Sequence, residues 1–188
     1  MTATSRRTLG LILTAAGLVG LVGISRVFVG PGSRSGLRPV WAPFGDGQAG
    51  WACSAPELPG QTVDVALSDM GGMMTGGRMM SVTATPSTVS AGDVSFRAWN
   101  SGMMTHELVV LPLPAAGPGT RPVGSDGRVS EAGSLGEASR SCGEGSGEGI
   151  APGATGWVTL HLDPGPYELI CNLPGHYAMG MFTELDVS

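Results

Sequence analysis

The chain has 188 residues, with 32 glycines, 14 prolines, no lysine and a net charge of −5. Glycine and proline without a repeat mean many turns and long loops, and exclude a collagen-like rod. Beyond Pro31 seven arginines stand against fifteen acids, a net −8; such a surface repels nucleic acid, serves solubility, and can steer a basic protein partner.

The first thirty residues contain "SRRTLGLILTAAGLVGLVGISRVFVG", apolar from Leu9 to Ile24. A spanning helix needs ~20 mostly apolar residues, and a signal peptide has a shorter apolar region and a small-residue cleavage site. The run lies between the two, and no A-x-A site stands between Ile24 and Gly36. Residues 1–30 are therefore expected to be an uncleaved transmembrane anchor, with a cleaved signal and a secreted product as the alternative. Arg6 and Arg7 place the N-terminus in the cytoplasm, so the rest of the chain is expected on the outer, extracytoplasmic face. "SRRTL" also resembles a twin-arginine export signal, and the general secretory route is the other choice. Residues 31–50, rich in Gly and Pro without periodicity, read as a flexible linker.

Residues 51–188 carry the folded domain. "TVDVALSD" sets Val63, Val65 and Leu67 against Thr62, Asp64 and Ala66. "MSVTATP" and "DVSFRAW" alternate in the same way, and "HELVVLPL", "GWVTLHLD", "PYELIC" and "MFTELDV" make four more segments. Period-two runs bounded by Gly, Pro, Asp and Ser are strands. Seven strands with no clear helical run predict an all-β antiparallel sandwich. One stretch breaks the spacing. Residues 114–152 are rich in Gly, Ser and Pro, with room for a short helix at "EAGSLGEAS". A connection of that length needs something to tie it down.

Outside the membrane thiols tend to pair. Of the three cysteines, Cys171 stands beside His and Met, while Cys53 and Cys142 do not. The economical assignment is a Cys53–Cys142 disulfide that pins the long insertion and leaves Cys171 for a metal. Two unpaired thiols are the alternative.

The segment "CNLPGHYAMGM" carries C-x4-H-x4-M: Cys171, His176 and Met181. Soft sulfur ligands with imidazole suit copper, and two His with one Cys and a weak axial Met is the blue-copper electron-transfer set. A second histidine must come from elsewhere. His161 alternates with Leu160 and Leu162 on a face expected to meet solvent. His106 opens a strand directly after a loop and is the natural partner.

At these residues the chain resembles a family. "THELVV" with "YELICNLPGHYAMGM" is similar to the cupredoxins, the small blue copper proteins, and most to the sulfocyanin-like ones, over roughly residues 51–188. The resemblance implies a Greek-key β-sandwich with one type 1 copper that shuttles single electrons. It implies His106, Cys171 and His176 as equatorial ligands and Met181 as the axial one. Met181 rather than Met179 matches the family's Met after Gly. One departure stands out: many cupredoxins have Asn after the first His, bracing the ligand loop, and here it is Glu107.

Seven further methionines cluster at Met70, Met73, Met74, Met79 and Met80 and at Met103 and Met104. Met also fills irregular gaps in cores. Alternate connections of an antiparallel fold lie at one end, which puts both clusters at the copper end. They form either an apolar docking patch or an accessory Cu(I) site. The expected function is a membrane-tethered electron carrier between a redox donor and an acceptor, and not an enzyme, because no nucleophile–base arrangement is present. Copper buffering or delivery by the methionines is the alternative. A structural zinc site is disfavoured by the thioether.

Overall fold

The computed structural model describes residues 53–69 and 79–188, all within one compact unit, Phe44–Ser188. The expected anchor, the linker, and Met70, Met73 and Met74 lie outside the described residues. Nine strands are present among those described: β1 (Gln61–Ser68), β2 (Ser81–Thr85), β3 (Thr88–Val89), β4 (Gly92–Asn100), β5 (Leu108–Pro112), β6 (Gly136–Ala138), β7 (Thr155–Leu162), β8 (Gly165–Ile170) and β9 (Phe182–Val187). They form two sheets, ordered β2-β1-β4-β7 and β3-β9-β8-β5-β6.

All seven expected strands occur, and β3 and β6 are additional. Two features differ from expectation. The sheets are mixed, because β1 pairs parallel with β4 and β3 parallel with β9. The stretch "EAGSLGEAS" holds no helix; its end forms β6, paired antiparallel with β5. Two glycines in nine residues weaken a helix, and the edge of β5 offers the backbone ready partners.

Alternation builds the core. Val63, Val65 and Leu67 of β1 and Val94, Phe96 and Ala98 of β4 are buried, and meet Leu108, Val110, Leu169 and Leu185 from the other sheet. Fully burying such a side chain contributes about 1.5–3 kcal/mol. Ser95 breaks the alternation, since it is buried on the outward side of β4. Its hydroxyl donates to Pro59 O at 2.5 Å and accepts from the Thr159 hydroxyl at 2.8 Å.

β5 reads "LVVLP" and its first four residues are all buried. A continuous apolar run marks a strand covered on both faces. The cover on the outer face is a second cluster of Val109, Leu111, Ile170, Tyr177 and, from the insertion, Val129. The insertion is therefore packed against the second sheet. The disulfide between Cys53 and Cys142 also ties it to the start of the domain.

Parallel pairing of β1 with β4 fixes where the site lies. Leu67 stands level with Asn100, so both strands exit at the same end. Ser101 N–H donates to Leu67 O at 2.9 Å just beyond that register. The chain from β4 then leads within a few residues to His106.

Candidate metal centre

His106 lies just ahead of β5 in an isolated bridge to Ile150. Its N–H donates to Ile150 O at 3.1 Å, and Ile150 N–H donates back to His106 O at 2.7 Å. The insertion's last residues thus hold the backbone of this histidine. Cys171 follows directly after β8, and its N–H donates to Met181 O at 3.0 Å. Between them the loop reverses. His176 N–H donates to Leu173 O at 3.0 Å, and Met181 N–H to His176 O at 3.1 Å. Gly175 and Gly180 have φ of +84° and +96°, conformations that suit glycine.

The loop carries two donors to the third. Cys171 Sγ lies 3.3 Å from His176 Nδ1 and 3.9 Å from His106 Nδ1, and the two Nδ1 atoms are 3.3 Å apart. All three side chains are buried. A trigonal ion with bonds of about 2.0 Å to nitrogen and 2.3 Å to sulfur, lengths typical of zinc, needs edges of about 3.5–3.7 Å. The observed triangle fits that size. Met181 is fully buried in the same core cluster as Cys171. Met179 is half-buried and lines a shallow cavity with Arg121, Tyr177 and Phe182.

Burial keeps all three donors neutral in the absence of an ion. Burial, reinforced by the neighbouring His176, pulls His106 down to about 4. Burial lowers His176 as well. Both rings are neutral at pH 7 and keep a lone pair for a metal. Burial pushes the Cys171 thiol up to about 12. Nothing nearby is positive enough to make it a thiolate, so a bound ion must displace its proton. Two facing imidazole nitrogens and a buried thiol form the donor set of a soft-ligand metal centre.

Glu107 takes over the brace expected from Asn. Its N–H donates to Cys171 Sγ at 3.4 Å, and its Oε1 accepts from Asn172 N–H at 3.1 Å. Either side chain offers an oxygen acceptor, so the bond survives the change of residue. Burial, then the nearby Glu137, pushes the Glu107 carboxyl up to about 7 against the pull of Arg128. The loop is held from the other side by the insertion. Asn172 Oδ1 accepts from Val129 N–H at 2.7 Å, and Asn172 Nδ2 donates to Val129 O at 3.0 Å. Gly175 N–H donates to Gly127 O at 2.8 Å.

His161 is exposed and pairs with Asp93 at 2.8 Å, away from the donors. Met79, Met103 and Met104 are exposed. Met80 is a correction to the expected cluster. It is buried in the core, because it continues the inward face of β2 with Val82. Sequence reasoning missed Asp69, Asn172 and Val129. Asp69 could have been found from topology, since it ends β1 at the level where β4 exits.

A buried trigonal triangle of two histidines and one cysteine, with a buried methionine beside it in a two-sheet β fold, defines a cupredoxin site. The sulfocyanin (SoxE) domain matches residues 74–188, which include every one of these ligands. The chain belongs to the sulfocyanin family. Its cofactor is one type 1 copper per chain, with His106, Cys171, His176 and Met181 as ligands. Among solved structures it is similar to auracyanin A, a "blue" copper protein from the green thermophilic photosynthetic bacterium Chloroflexus aurantiacus. Identity is 23%, over 68% of this chain and 99% of that one, at a TM-score of 0.42. Auracyanin B matches at 21% over 74% and 96%, TM-score 0.45. Rusticyanin from Thiobacillus ferrooxidans matches at 21% over 73% and 87%, TM-score 0.41. No curated protein sequence matches the chain.

Proposed function

We propose that this electron-transfer copper protein is tethered to the outer face of the cell membrane and passes single electrons between two redox proteins. The observation that carries this is the buried triangle of His106, Cys171 and His176. Copper, when bound, alternates between Cu(II) and Cu(I) and so supplies a one-electron store.

The chain's own residues do the rest. His106 is held on both sides of its backbone by Ile150, and Cys171 and His176 are locked to Met181. Donors fixed in this way reorganise little when the charge at the site changes. Burial of all four ligands excludes water. His176 retains 4% exposure while His106 has none, so its edge is the shorter way out for an electron. Met103 and Met104, exposed and three and two residues before His106, give that end an apolar rim. Ser81 pairs with Ser68 at the same end, which brings exposed Met79 there too. The net −8 beyond Pro31 favours a basic partner. The tether is the apolar run from Leu9 to Ile24.

The test is the visible spectrum of the purified chain titrated with Cu(II). An intense band at one copper per chain, lost in Cys171→Ser, supports electron transfer. A colourless protein that binds only Cu(I), and does so equally in Cys171→Ser, overturns it in favour of copper delivery by the methionines. Recovery of the protein in membranes, released only by detergent, checks the tether.

A further inference from the structure

We infer that Asp69 is a positioning residue for the copper site, taking the outer ring N–H of His106 and favouring Cu(II) over Cu(I). The inference rests on the copper reading above.

His106 turns Nδ1 towards Cys171 and His176. Its other nitrogen, Nε2, is buried and has no hydrogen-bond partner. Buried polar atoms are rarely left so. When Nδ1 ligates a metal, Nε2 must carry the ring's proton, and such protons normally go to a carboxylate, a carbonyl or water. Asp69 Oδ2 lies 3.7 Å from Nε2, and the Asp69 side chain is only 7% exposed. That separation is slightly too long for a hydrogen bond, and a small ring rotation closes it.

The carboxylate is itself held in place. Met103 N–H donates to Asp69 Oδ1 at 2.9 Å and Met104 N–H to Oδ2 at 2.7 Å. One side chain at the end of β1 therefore fixes both the loop entering His106 and the charge beside its ring. Gly102 keeps the space open. A Cβ there would stand 2.7 Å from Asp69 Oδ1 and 2.9 Å from His106 Nε2. A negative charge at this point stabilises the more positive oxidation state of the ion and makes the imidazole a stronger donor.

The experiment measures the reduction potential of the copper-loaded full chain in Asp69→Asn and Gly102→Ala. Asp64→Asn serves as the control, since it removes an equal charge from the outer face of β1. Both test variants are expected to raise the potential by a tenfold shift in Cu(II)-to-Cu(I) preference, about 59 mV for one electron, with Asp64→Asn unmoved. A lower melting temperature with a potential equal to the control's means a purely structural cap, and overturns the inference. If Asp69→Asn fails to fold, Gly102→Ala decides. If both fail, proton NMR of the wild-type Cu(I) protein decides: a protected His106 Nε2–H supports the inference, and exchange as fast as that of exposed His161 overturns it. A wild-type chain without the blue band would instead defeat the copper reading itself.

Discussion

The ligand loop, residues 171–181, and the insertion, residues 114–152, meet at the copper site with opposite sequence signatures. The loop announces its chemistry through a thiol, an imidazole and a thioether at fixed spacing. The insertion has no periodicity and is built from Gly, Ser and Pro. Yet it holds the loop at Asn172 and Gly175, holds His106 through Ile150, and covers the outer face of β5. The groups that bind metal are side chains, whereas many of the groups that place them are backbone amides and carbonyls.

If the insertion is a buttress, damage to it should loosen a site it does not ligate. The largest effect is expected from opening the Cys53–Cys142 disulfide by double substitution to Ser. The bridged residues are 89 apart, and a loop of that size is worth about 4–5 kcal/mol on the chain-entropy model; chemical denaturation measures the loss. Next is Arg121→Ala. Arg121 Nε donates to Glu168 at 2.6 Å, and Glu168 is fully buried. Removing one partner of such a pair costs about 3–5 kcal/mol, read in the same denaturation. Tyr177, which donates to the same carboxylate at 2.9 Å, should lose fluorescence anisotropy as the loop frees.

Asn172→Ala leaves Val129 N–H and O without their side-chain partner. A cost of about 2–3 kcal/mol is expected, with faster hydrogen exchange at Val129 and a broadened visible band. A smaller effect tests the loop's own chemistry. Because the Cys171 thiol is pushed up to about 12, it is protonated at neutral pH and must lose that proton to bind. Apparent copper affinity should therefore rise with pH, about tenfold per unit, or 1.4 kcal/mol, in titrations between pH 6 and 8. The smallest effect is expected at His161→Ala, whose ring is exposed; it should change stability by no more than about 0.5 kcal/mol and leave the spectrum alone.

Much of the fold was legible because strand alternation is a side-chain property. Val63, Val65 and Leu67 face inward as their spacing demands. Mixed pairing was not legible, since the parallel contact of β1 with β4 depends on which edges meet in space. The ligands were legible because few residue types bind copper. The Glu107 brace was not legible from residue type alone, because it depends on the oxygen that the side chain presents to Asn172 N–H. Met80 carried two signals, membership of a methionine cluster and alternation with Val82, and the alternation decides, since both side chains are buried. Asp69 was silent because it lies 37 positions from His106 in sequence and meets it only through the sheet.

A loop that carries three ligands invites treatment as a cassette, to be exchanged between scaffolds for a different potential. Here the stitches from Asn172 to Val129 and from Gly175 to Gly127 bind its register to a segment more than forty positions upstream. A Cβ at Gly127 would already press on Gly175 N at 2.9 Å. Grafting either segment alone leaves the other without its counterpart, so the two must be transplanted as a single module.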